Sequence, residues 1–216
     1  MAEITQEELD EIIANHKLWL DGQETGKQAD LSNINCTGLK LKYVILTKAI
    51  LRNFHFTDGE IKGVVFQETD LEHSYFNNVV FKDIIFKDAS LSDSTLTNSI
   101  FIDVEFIDVN LSFVNLSNSD LEGNNFKNCS LYGANLKNIN LEYINLKGII
   151  LQSSNLQNAR LIGVNLKGAN LVDADLQGAN LSNANLKNAD LQGANLTKTN
   201  LAGSKLKKTK FSDGGF

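Results

Sequence analysis

Three histidines, two cysteines and 26 carboxylates are the residues of this 216-residue chain whose types could do chemistry. Their spacing does not assemble it. None of His16, His55 and His73 has a cysteine or a second histidine at the spacing of zinc ligands or of a nucleophile and its base. The glycines, among them Gly133, Gly163, Gly168, Gly178 and Gly193, are scattered singly and form no phosphate-cradling loop. Cys36 and Cys129 lie too far apart, on the repeat described next, for one disulfide, and read as buried reduced thiols. The chain is therefore read as non-enzymatic, with no cofactor and no metal site.

The elements that must position these residues are set by one pattern. Every fifth residue from Leu31 to Phe216 is apolar: of 38 such centres, 26 are Leu and ten Phe, with Ile61 and Cys36 the exceptions. Two residues before the centre stand small or β-branched residues (Ala29, Ile34, Val44, Ala134, Ala169), and the residue just before it is often Asn or Asp. A period of five fits neither a helix at 3.6 nor a strand at 2.0. It fits a three-residue strand followed by a tight turn. Four such units turning by right angles close a square coil of 20 residues, and coils stack about 4.8 Å apart, giving a rod of about nine coils and roughly 45 Å. Proline is absent, so no amide of the ladder lacks its donor.

Units such as ADLQG, ANLSN and ANLKN resemble the A(D/N)LXX signature of the pentapeptide repeat family, and the match runs over residues 29–216. The resemblance implies an all-β solenoid, a right-handed quadrilateral parallel β-helix; residues 1–28, outside the match, are read from their own pattern as an N-terminal α-helical cap and connector. The 20-residue register then predicts a single stack of Phe66, Phe86, Phe106 and Phe126. Phe54, at a position meant for a small residue, widens its coil under Ser74, and Phe113 sits on a turn facing solvent.

Residues 5–20 have helical periodicity, with Leu9, Ile12, Ile13, Leu18, Trp19 and Leu20 on the apolar side. Thr5 and Glu8 form a capping-box pattern and Gly22 a stop. This helix is the expected lid, with Trp19 laid over the first coil. Gyrase-protecting members of the family have a C-terminal helix or strand that serves their dimer, and no such segment follows the last repeats here. The open end is expected to make a homodimer with a second copy, the alternative being that the sequence is a piece of a longer protein.

Function must then lie on the surface. Thirteen carboxylates face three lysines between residues 58 and 122, a net of −10, whereas residues 123–216 carry eleven bases and five acids, a net of +6. Glu68, Asp88 and Asp108 share one turn column, flanked by Asp83 and Asp103 on the next. Over about 16 Å of rod the acidic zone has about one charge per 1.6 Å, close to duplex DNA at about one per 1.7 Å. This suits the resemblance to DNA-mimic, quinolone-resistance proteins that bind gyrase; a solvated face that keeps the rod soluble is the plainer reading. A second patch is apolar: Ile45, Val65 and Ile85 in one outward column, Val80 and Ile100 in the next, and Ile102, Ile107 and Phe113 nearby. It marks either an interface or the strand preference of β-branched residues.

The reading taken is a non-catalytic scaffold or protein-interaction module with a protein partner, using the flat faces between residues 45 and 113. Topoisomerase binding by DNA mimicry is the alternative, and direct nucleic-acid binding is not expected. No apolar run of 18 residues would span a membrane and the acidic start is unlike a secretory signal, so the expected compartment is the cytoplasm.

Overall fold

The computed structural model describes residues 1–212, and its unit is a five-residue turn. Two residues after nearly every centre the backbone is left-handed, as at Asn33, Asp58, Asn78, Asp103 and Asn138. That conformation costs most side chains about 1–2 kcal/mol, and least for Gly, Asn and Asp, which is why these types dominate the column. The Asn or Asp before the centre locks the same turn. Its Oδ1 accepts the N–H two residues on, from Thr37 to Asn35 at 3.0 Å and from Gln157 to Asn155 at 3.0 Å.

Each coil pairs in parallel with the next at a register of 20 residues, as in Val80↔Ile100 and Phe86↔Phe106. The result is a parallel β-solenoid of about nine turns with a single N-terminal helix. Its elements are β1 (Ala2–Glu3), α1 (Gln6–Leu20), β2 (Ile34–Asn35), β3 (Leu41–Lys42), β4 (Glu60–Lys62), β5 (Val65–Gln67), β6 (Val80–Lys87), β7 (Ile100–Ile107), β8 (Asn125–Lys127), β9 (Asp190–Leu191) and β10 (Lys210–Phe211). The longest strands, β6 and β7, carry VFKDIIFK and IFIDVEFI, where β-branched and aromatic residues are densest. Beyond β8 most coils join through single bridges, such as Asn135↔Asn155 and Asn165↔Asn185. The four faces are numbered here by their first centres: face I from Leu31, II from Cys36, III from Leu41 and IV from Leu46.

Centres and the small residues before them fill the interior. On face IV the predicted column stands: ring centroids are 5.0 Å apart for Phe66–Phe86, 5.2 Å for Phe86–Phe106 and 4.5 Å for Phe106–Phe126, all nearly parallel. A second stack, Phe81–Phe101 at 4.7 Å, runs beside it on face III. Such ring pairs add about 0.5–1.5 kcal/mol each beyond burial. Phe54 is fully buried, and its amide donates to the Ser74 hydroxyl one coil on, at 3.2 Å. Polar residues at small-residue positions answer backbone groups: the Ser99 hydroxyl accepts from the Val79 amide and donates to the Phe76 carbonyl. A buried hydroxyl left without such partners would cost about 1–3 kcal/mol.

At the N-terminal end, α1 begins with the capping box, Thr5 accepting from Glu8 and Glu8 from Thr5. The side chain of Gln6 bonds both the N–H and the C=O of Lys40, so it stands in for a strand beneath the first coil. The strand β1, which pairs with β2, does the same on face II and has no signature in its two residues. The lid differs from the expectation in one residue. Leu9 and His16 are the fully buried side chains of the helix, while Trp19 is half-buried and stacks on His16 at 5.5 Å. The cause is register: positions 9 and 16 point at the coil, and position 19 lies toward the helix flank. At the other end Leu196, Leu201 and Leu206 are half-buried, and Phe216, the last centre, lies outside the described residues.

Candidate interaction surface

The histidines are dispersed. His73 is exposed on a turn. His55 lies against Tyr75 at 4.3 Å, its protonation disfavoured first by burial and then by the nearby N-terminal amine. His16 accepts the Ala29 amide at Nδ1, 3.0 Å away, and burial holds its pKa below the usual value. Among the described residues no group of His, Cys, Asp or Glu is arranged to hold a metal ion. Both cysteines are buried and free, and burial raises the Cys36 thiol to about 12.

The surface has more structure. Glu68, Asp83, Asp88, Asp103 and Asp108 all occupy left-handed turn positions and all are exposed. Glu68, Asp88 and Asp108 line one edge of face IV, and Asp83 with Asp103 the corner between faces III and IV. Lys48 pairs with Glu68 at 3.5 Å, and Asp108 accepts from Asn128 at 2.9 Å. Asp83, Asp88 and Asp103 have no ion pair among the described residues. Neighbouring exposed pairs, such as Lys42–Glu60 at 3.3 Å, contribute at most about 1 kcal/mol each.

The apolar column is one ladder, Ile45↔Val65↔Ile85, continued by Glu105. Ile45 is 57% exposed and Ile85 37%, with Val65 half-buried between them. Across the corner, Val80 pairs with Ile100, which is 48% exposed beside Ile102. At its N-terminal end the column opens into a groove of about 300 Å³ between α1 and the first coil, lined by Ile13, Lys17, Leu20, Tyr43, Val44 and Ile45. The groove was not anticipated, because it depends on how far the helix stands off the coil. Phe113 lies apart, on the edge of face I, edge-on to Tyr132 at 5.3 Å. Its ring covers Gly133, just as Tyr43 covers Gly63 and Tyr143 covers Gly163. An aromatic residue on a turn therefore takes a glycine 20 residues later as its seat.

Comparison with known proteins places this rod in a family. Pentapeptide repeats match in eight copies over residues 27–58, 140–178 and 174–213, and a pentapeptide repeat region matches residues 79–156. The chain belongs to the pentapeptide repeat family. Among solved structures it is similar to HetL, a pentapeptide repeat protein involved in heterocyst differentiation regulation from the cyanobacterium Nostoc sp. strain PCC 7120, with 25% identity over 93% of this chain and 96% of that one and a TM-score of 0.63. It is also similar to Rfr23 from the cyanobacterium Cyanothece 51142, with 45% identity over 45% of this chain and 63% of that one and a TM-score of 0.39. QnrB1, a plasmid-mediated fluoroquinolone resistance protein, matches with 17% identity over 83% of this chain and 94% of that one, with a TM-score of 0.42. No curated protein matches the chain in sequence. No helix among the described residues is long and apolar enough to cross a membrane.

Proposed function

We propose that this chain is a non-catalytic, cytoplasmic protein-interaction module that engages a protein partner at the corner between faces III and IV. The observation that carries the reading is the apolar ladder Ile45↔Val65↔Ile85, which runs at one end into the groove beside α1 and has Ile100 across the neighbouring corner. Exposed apolar residues in an unbroken run, rather than singly, mark binding surfaces. The acids at Asp83 and Asp103 stand on the corner between this ladder and Ile100 and supply polar contacts beside it. HetL, alike over nearly its whole length, is described by a regulatory role, and regulation by binding suits a rod with a filled interior. The test replaces Ile85 and Ile100 together with lysine. Loss of a partner that the parent chain retains, with the circular dichroism spectrum unchanged, supports the reading; retention of every partner removes it.

The alternative, DNA mimicry toward a topoisomerase, draws on the two exposed acidic columns, Glu68–Asp88–Asp108 and Asp83–Asp103. The change of sign after residue 123 weighs against it, because a mimic of duplex DNA is acidic along its length. Gyrase supercoiling with purified chain separates the two readings. No inhibition and no drug protection at micromolar protein is the outcome expected here.

A further inference from the structure

Face IV carries two blocks of opposite charge, one after the other along the rod. From the coil of Phe126 to the coil of Leu206, the residue after the centre is lysine in every turn: Lys127, Lys147, Lys167, Lys187 and Lys207. The neighbouring ladder Asn145↔Asn165↔Asn185↔Lys205 fixes the register of the last four, whose stems leave the face in single file about 4.8 Å apart, and Lys127 is registered on the coil before it through Ile107↔Lys127. None makes an ion pair among the described residues. The same column holds Glu122 and Glu142 on face III, and Tyr132, Gln152 and Val172 on face I, so the row belongs to one face. Like charges directly opposite in a sheet repel, and nothing in the repeat requires lysine there. The earlier coils of face IV and its corner carry Glu68, Asp83, Asp88, Asp103, Glu105 and Asp108, against Lys48 and Lys87.

We propose that face IV is the interface between two copies of this chain lying antiparallel, the acidic block of each on the lysine row of the other. The two-fold axis crosses the face between the coils of Phe106 and Phe126. The coil of Asp108 then lies on that of Lys127, the coil of Asp88 on that of Lys147, and the coil of Glu68 on that of Lys167. A two-fold axis across the face keeps each column against itself, so Asp88 and Glu68 come down on the turn column at Gly148 and Gly168. Those glycines have open space where a side chain would stand, with a lysine beside each. Sliding one copy by a single coil sets either Asp108 or Lys127 against its own counterpart, whereas the register chosen sets one like pair, Lys87 on Lys147, with Asp88 beside it. Pairing also covers Val65 and Ile85 against Asn165 and Asn145, so a second copy and a partner on the apolar strip exclude one another.

Sedimentation equilibrium of the full chain tests this at about 50 mM and about 500 mM salt, because attraction between exposed charges is screened over this range. Two charge-reversed variants accompany it: Lys147→Glu with Lys167→Glu, and Glu68→Lys with Asp88→Lys. Both are compatible with the fold. Glu122 and Glu142 already occupy the first column, and Lys48 and Lys208 occupy left-handed turns like those of Glu68 and Asp88. The expected result is a dimer whose dissociation constant rises at least tenfold at high salt, loss of self-association in each variant alone, and recovery of a dimer when the two are mixed. A parent chain monomeric at low salt overturns the proposal. So does a dimer indifferent to salt and to both reversals, which is the behaviour of stacking through the last coil. Neither variant alters Ile45, Ile85 or Ile100, so failure here leaves the apolar strip to be judged by its own test.

Discussion

At the scale of single residues, the chain is governed by what each of its five positions demands. Gly133 shows a tight demand, with φ at +63° and the Phe113 ring where its side chain would be. Gly148 has similar φ but open space above it. Urea denaturation should therefore find Gly148→Asn within about 0.5 kcal/mol of the parent. Gly133→Asn should cost about 1 kcal/mol or more, because the ring must leave its seat. His16 makes a second prediction. Its folded pKa lies below the usual 6.5, so beneath that pH the unfolded chain takes up a proton that the folded chain resists. The stability it contributes is complete above about pH 6.5 and is lost as pH falls. The melting temperature should drop on acidification, with a change in Trp19 fluorescence because that ring stacks on His16. His16→Leu should flatten the part of the pH dependence that comes from this group, and cost about 1–3 kcal/mol at neutral pH by leaving the Ala29 amide without its acceptor. His16 was not legible as a core residue, since a count of apolar positions along a helix passes over an imidazole. The four phenylalanines of face IV were legible, since a strict period fixes both their column and their direction.

At the scale of elements, the coil and the cap differ in how much the sequence reveals. A coil is readable because one pattern recurs: a large centre, a small residue two before it, Asn or Asp between them, and a left-handed residue two after. The cap is built once, from parts that do not repeat. Its helix is visible in Thr5 and Glu8 and in the apolar periodicity, but Gln6 acting as a strand and β1 pairing with β2 have no periodic trace. The cap protects the first coils, where Cys36 is buried with its thiol pushed up to about 12. Leu9→Asp should loosen α1 and make Cys36 reactive toward a thiol reagent while Cys129, several coils away, stays inert. Equal reactivity of both thiols would mean that the cap and the distant coils unfold together, contrary to stability summed over neighbouring repeats.

At the scale of the whole molecule, the rod is a filled interior wearing four different faces. Charge counted by segment shows an acidic middle and a basic remainder, but it averages the four faces and so conceals that the lysines from 127 to 207 form one line. Apolar residues on turns and strands were equally visible in the sequence as a list, yet only the coil geometry separates the ladder of Ile45, Val65 and Ile85, with Ile100 across the corner, from the lone ring of Phe113. The central claim is that this strip binds a protein partner. The most direct test is affinity capture with the parent chain and with the double variant Ile85→Lys, Ile100→Lys under identical conditions, each captured protein being confirmed with purified components. The account predicts at least one partner that binds the parent and binds the variant at least tenfold more weakly, whereas equal affinity of every partner for both chains would contradict it.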